Sequence, residues 1–221
     1  KNINIWFDYD EHLDNLKKAA KTNYFAKYML AYEYYLHEAW YAEDEEREEK
    51  FSKAVNTLKE IDFFLPAKNT LLILEIANNP LDYLKIKKTI KKIELNNSKI
   101  LELYKRRGNE YLSAIYSDLG LELGNRGYAK LGLKYLHKEV EIDEVQFNNP
   151  ILGYSSEGIN YHRAINYQKL GFSYLGTGNI SKAREYFVRA INLIQNDFEF
   201  FRETDPGLYA NTLNLIGRTF A

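Results

Sequence analysis

The stretch "NYQKLGFSYLGTGNISKAREYFVRAINLI", residues 166 to 194, leaves the chain few ways to fold. Tyr167, Leu170, Gly171 and Tyr174 fall at i, i+3, i+4 and i+7, one face of an α-helix. Gly176 and Gly178 stop that helix, and the side-chain oxygen of Asn179 is placed to cap the next one. Ala183, Phe187, Ala190, Ile191 and Ile194 then resume the helical period. Two helices crossing closely leave no room for a side chain at the contact. Gly171 and Ala183 are therefore expected to face each other, with aromatics filling the space around them and Gly-Asn making the reversal.

The pattern recurs. Residues 113 to 140 carry Tyr116, Leu119, Gly120, Leu123, Gly127, Gly132 and Leu136 at the same mutual offsets. Gly120 to Leu136 and Gly171 to Phe187 both span sixteen positions. Glu139 stands where a small residue is expected, which makes this copy degenerate. In "YANTLNLIGRTFA", Ile216, Gly217 and Phe220 match the first helix of a third copy, read as cut short at Ala221.

An aromatic, Leu-Gly, Tyr three residues after the Gly, Gly-Asn, Ala, Phe and Ala at these spacings resembles the tetratricopeptide repeat. In residues 164 to 194 only the closing Pro is missing, with Gln195 near its place. The resemblance implies an all-α fold, an α-solenoid of antiparallel helix pairs wound as a right-handed superhelix. The Gly-to-Gly spacings are 51 (120 to 171) and 46 (171 to 217), against about 34 in the standard repeat. The surplus lies between motifs and fits lengthened helices, as in arrays of bacterial sensor and regulator proteins that this chain loosely resembles.

The first half is helical but less regular. Residues 23 to 41 place Phe25, Tyr28, Tyr32, Tyr35, Leu36 and Ala39 on one face, with Tyr24, Tyr34, Trp40 and Tyr41 off it. Such a helix is either sandwiched between neighbours or lines a groove for a partner. "EDEEREEKFSKAVNTLKEIDFF" completes a second hairpin, its acids suiting a solvated helix start. "TLLILEIANN" and the stretch from Leu81 to Arg107 add two or three helices. Only four Pro occur, at 66, 80, 150 and 206, each where a helical pattern has stopped. The expected organisation is residues 1–110 as divergent hairpins and 111–221 as tetratricopeptide-like repeats, in a single continuous solenoid of about ten to twelve helices.

Chemistry finds little foothold. Cysteine is absent, so disulfides, thiolate metal sites and a cysteine nucleophile are excluded. His12, His37, His137 and His162 have no acidic partner at metal-ligand spacing. No nucleophile elbow, phosphate-cradling loop or dinucleotide fingerprint occurs. No metal, cofactor or catalytic residue is therefore expected. Lys and Arg number 30 against 31 Asp and Glu, so no global field draws the chain to nucleic acid. The basic stretch 85 to 107 reads as the wet side of a packed helix through Ile86, Ile90 and Ile93. No apolar run is long enough to span a membrane. A chain without thiols suits both cytoplasm, slightly favoured, and periplasm, and any targeting segment would precede Lys1.

Stacked hairpins leave a face lined by their first helices, and such faces bind peptides or helices. The resemblance places Ser117, Asp118 and Leu121, then Gln168, Lys169 and Phe172, then Asn214 and Arg218 on that face. Lys169, Phe172 and Gln168 are expected to be exposed. Family members that hold a carboxylate use a Lys and Asn pair where Gln168 and Phe172, or Ser117 and Leu121, stand here, so a carboxylate clamp is not expected. The function implied is a non-enzymatic protein- or peptide-binding scaffold. The alternative is the sensory or regulatory repeat region of a larger bacterial signalling protein, a kinase or transcription regulator. A homo-oligomer stays open.

Overall fold

A computed structural model describes residues 9–78, 82–149 and 153–220. The described residues form twelve α-helical segments and one π-helical segment, with no strand among them, so the protein is all-α. The chain divides into two compact units. The first comprises residues 1–75 and 88–96, and the second residues 76–87 and 97–221.

In the first unit, α1 (Tyr9–Ala19) leads to α2 (Tyr24–Met29), a π-helical turn and a half (Leu30–Leu36) and α3 (His37–Tyr41). Asn23 starts α2, its side chain accepting the N–H groups of Phe25 at 2.9 Å and Ala26 at 3.2 Å. The wider π winding changes the face that the tyrosines present. Ala26, Leu30 and Tyr34, spaced by four, join Ala20 in an apolar cluster against Leu13 and Leu16 of α1. Tyr34, expected off the core face, is therefore buried. On the other side Tyr28 meets Phe64 edge-on at 5.4 Å. The run also packs on α4 (Asp44–Lys59), where Lys50 bridges Glu38 at 3.0 Å and Glu46 at 2.8 Å. The aromatic helix is thus sandwiched between α1 and α4. Tyr24 leans on Phe63 and Phe64; the Trp40 and Tyr41 side chains lie outside the described residues.

Two long helices supply segments to both units, α5 (Leu65–Asn78) and α6 (Tyr83–Tyr104). Pro66 sits in the first turn of α5, where its missing N–H costs nothing. Within the first unit Asn96 donates to the Asn69 side-chain oxygen at 2.8 Å, a buried bond. Pro80 and Pro150 lie outside the described residues.

The second unit is built on two antiparallel hairpins. Lys105, in the left-handed region at φ 49°, separates α6 from α7 (Arg106–Asn125), which turns back through Gly127 into α8 (Ala129–Phe147). Then α9 (Ser156–Gly176) turns through Gly178 into α10 (Ile180–Asn196). The short α11 (Phe198–Thr204) precedes α12 (Pro206–Gly217), whose cap Asp205 accepts the Leu208 N–H at 3.0 Å. Ala164, Ala190, Ile191, Ile194, Phe201 and Leu208 make one core where α9, α10, α11 and α12 meet. Leu133, Leu136 and Leu170 make another where the hairpins meet, with Leu121 packed against it.

The two hairpins repeat each other at an offset of 51 residues. Gly127 and Gly178 both have positive φ, 84° and 75°. The N–H of Tyr128 reaches the Leu123 carbonyl at 2.8 Å, and that of Asn179 the Tyr174 carbonyl at 3.0 Å. These are the backbone bonds that close a helix on a left-handed glycine. The crossing contacts repeat as well. A Cβ on Gly120 would lie 2.7 Å from Leu136 Cγ, and one on Gly171 would lie 2.5 Å from Phe187 Cε1. The three atoms nearest to a Cβ on Gly171 all belong to the Phe187 ring, which covers that glycine as Leu136 covers Gly120. In the first hairpin the backbones themselves close in: a Cβ on Gly132 would come within 2.4 Å of the Gly120 carbonyl oxygen.

Candidate functional site

The first helices α7 and α9 run alongside each other with α8 against both. Across this junction polar side chains pair in rungs one helical turn apart. In the first rung Ser113 of α7 and Asn166 of α9 both donate to Asp143 of α8, Asn166 at 2.7 Å. In the second, Lys169 Nζ of α9 donates to Ser117 Oγ of α7 at 2.8 Å and to Glu139 Oε1 of α8 at 2.7 Å. Nearer the start of α9, Arg163 grips Glu144 with two bonds, at 2.7 and 2.6 Å. Serines at i and i+4 on α7, and acids at i and i+4 on α8, put both rungs on one stripe of each helix.

Glu139 is 3% exposed, in the place that Ala190 holds in the second hairpin. A carboxylate there must be paired, since a lone buried charge costs several kcal/mol. Burial pushes its pKa above the ordinary value of 4.5, and the neighbouring Lys169 ammonium pulls it back down; Asp143 pushes up again and Ser117 lowers it. The Lys169 side chain is 23% exposed, its ammonium turned inward to the acid.

The expected face is thus only partly presented to solvent. Phe172 is exposed, at 48%. Lys169, expected to be exposed, is half-buried, because Glu139 draws its ammonium into the seam. Gln168, also expected to be exposed, is half-buried and donates to Thr212 Oγ1 of α12 at 3.2 Å. Ser117 is buried, while Asp118 and Leu121 are half-buried. Asn214 and Arg218 lie exposed at the end of α12. The structure brings Ser117 and Lys169 into one bond and leaves Asn214 and Arg218 out of it. Sequence reasoning missed Glu139, Asp143 and Asn166 as members of this seam. A signal for Glu139 was present, a charge at a position whose counterpart is alanine.

Elsewhere, His137 Nε2 lies 2.9 Å from the Tyr174 hydroxyl, and the Tyr174 and Tyr186 rings stack at 5.5 Å. Burial lowers the His137 pKa, with Lys182 adding to the effect and Glu141 opposing it. Among the described residues no group of three or more His, Asp or Glu is placed to hold a metal ion, and no helix is long and apolar enough to cross a membrane. No protein-family model matches the chain, and no curated protein or solved structure matches it.

Proposed function

We propose that this chain is a protein- or peptide-binding module of the tetratricopeptide type, with no chemistry of its own. On this reading the hairpins stack as an α-solenoid whose first helices, α7, α9 and α12, line the binding face. The observation that carries the reading is the duplicated hairpin. The same glycine reversal, the same capping bonds and the same glycine under a large side chain recur 51 residues apart. Repeat architectures are built from one such supersecondary unit used again. Phe172 is the anchor proposed for the face, because an exposed aromatic ring on a first helix contributes more on contact than as solvated surface.

The test is capture of partners by the immobilised chain, comparing wild type with Phe172→Ala and with Val188→Ala, an exposed residue of the second helix α10. The expected outcome is a partner lost with Phe172→Ala and retained with Val188→Ala, both variants keeping the wild-type circular dichroism and melting temperature. Identical recoveries from all three would place binding elsewhere.

A further inference from the structure

We infer that Glu139 sets the charge preference of the α7–α9 face, so that the face takes an uncharged apolar peptide segment in place of an acidic one. The inference rests on the binding role proposed above and adds the class of partner. Among the residues named for the proposed face on α7 and α9, Lys169 is the one base, and its ammonium is 2.7 Å from the Glu139 carboxylate. The pair presents little net field to a ligand, and Ser117 takes a further ammonium hydrogen at 2.8 Å. Asp118, the other charged residue there, has the wrong sign to attract an acid. Gln168 donates to Thr212.

One turn beyond the Ser117–Lys169 rung the two helices offer Leu121 and Phe172. Leu121 packs on the Leu133, Leu136 and Leu170 core, and Phe172 is 48% exposed. The seam thus ends in an apolar step next to a cancelled charge. Such a surface gains from burying hydrocarbon and gains little from meeting a carboxylate. The second hairpin shows that the acid is not a packing necessity, since Ala190 fills the equivalent place.

The experiment measures binding by fluorescence anisotropy of labelled twelve-residue peptides in three sets. One set carries Leu and Phe among uncharged residues, a second adds Asp and Glu, and a third adds Lys and Arg. Wild type should bind the uncharged set best, with less than about a twofold change on adding salt. Phe172→Ala should weaken that binding about tenfold. Glu139→Gln should strengthen binding of the acidic set relative to wild type, shifting the preference toward it, and make binding more salt-sensitive. Glu139→Ala, which installs the residue found at position 190, repeats the test without an amide that could still hold Lys169. Circular dichroism and melting establish that each variant is folded. Tightest binding of the acidic or the basic set by wild type, or an unchanged preference in both folded Glu139 variants, overturns the inference. If Phe172→Ala still weakens binding in that case, the face itself stands. Equal binding of every set by wild type and Phe172→Ala, or no binding by any form, overturns the face and the inference together.

Discussion

Gly132 lies so close to the opposite helix that a single added carbon would press on a backbone oxygen 2.4 Å away. Gly→Ala in a helix interior ordinarily stabilises by about 0.5–1 kcal/mol. Here overpacking reverses the sign. Gly132→Ala should cost roughly 1–3 kcal/mol, and Gly171→Ala somewhat less, because an aromatic ring can shift where a backbone cannot. Gly124→Ala, in the same helix pair with nothing within 4 Å of the new carbon, should show the ordinary gain. Urea unfolding of the three variants measures the contrast, and a uniform response would mean the crossing is looser than described.

Glu139 makes the second prediction at this scale. A carboxyl with a raised pKa holds its proton more tightly in the folded state than in the unfolded one. Its effect therefore favours folding most below about pH 4.5 and is lost as pH rises through the folded value. The stability of wild type relative to Glu139→Gln should fall as pH rises from acid to neutral. Lys169→Met removes the group that pulls the pKa down, so the decline should be steeper and extend to higher pH. At neutral pH that variant should lose about 2–3 kcal/mol, less than the 3–5 kcal/mol typical of a fully buried pair because Lys169 is partly wet. Denaturation midpoints across the acid-to-neutral range decide it; a pH-independent difference from Glu139→Gln would be incompatible with a carboxylate strained by burial.

At the scale of elements, the sharpest feature is the break at Lys105. A non-glycine residue at φ 49° and ψ −118° between two long helices sits in a backbone region that L side chains rarely adopt, at a cost of about 1–3 kcal/mol. Lys105→Gly should remove most of it, offset by the greater freedom of glycine in the unfolded chain, for a net gain of about 0.5 kcal/mol. Thermal melting checks this. That break was not legible in the sequence, because nothing in "ELYKRRGNEY" distinguishes a break at lysine from a continuing helix. The hairpins were legible, since glycine, asparagine and small residues act locally and at fixed offsets. The π-helical run was not. Its tyrosines fit an α period well enough to hide that Tyr34 turns into the core, a choice made by α1 from outside the segment. The proposed face was half legible for the same reason: Phe172 announces its exposure, whereas the burial of Lys169 depends on an acid thirty residues away on another helix.

At the scale of the whole molecule, charges nearly cancel and the isoelectric point is about 6.5. Self-repulsion is then weakest just below neutrality, so light scattering of concentrated protein should peak near that pH and fall on either side. A flat profile would mean that solubility is governed by apolar patches. The mismatch between residue 139 and residue 190 has a different kind of consequence. Two nearly interchangeable hairpins meet through a junction that is not interchangeable: the earlier one offers an acid on its second helix, and the later one answers with a base on its first. Exchanged in order, they would set Ala190 against Asp118, and Lys169 would have no acid to answer. The repeat therefore carries a reading direction, written in the acids Glu139, Asp143 and Glu144 that the second hairpin does not repeat, which its otherwise duplicated geometry would not enforce.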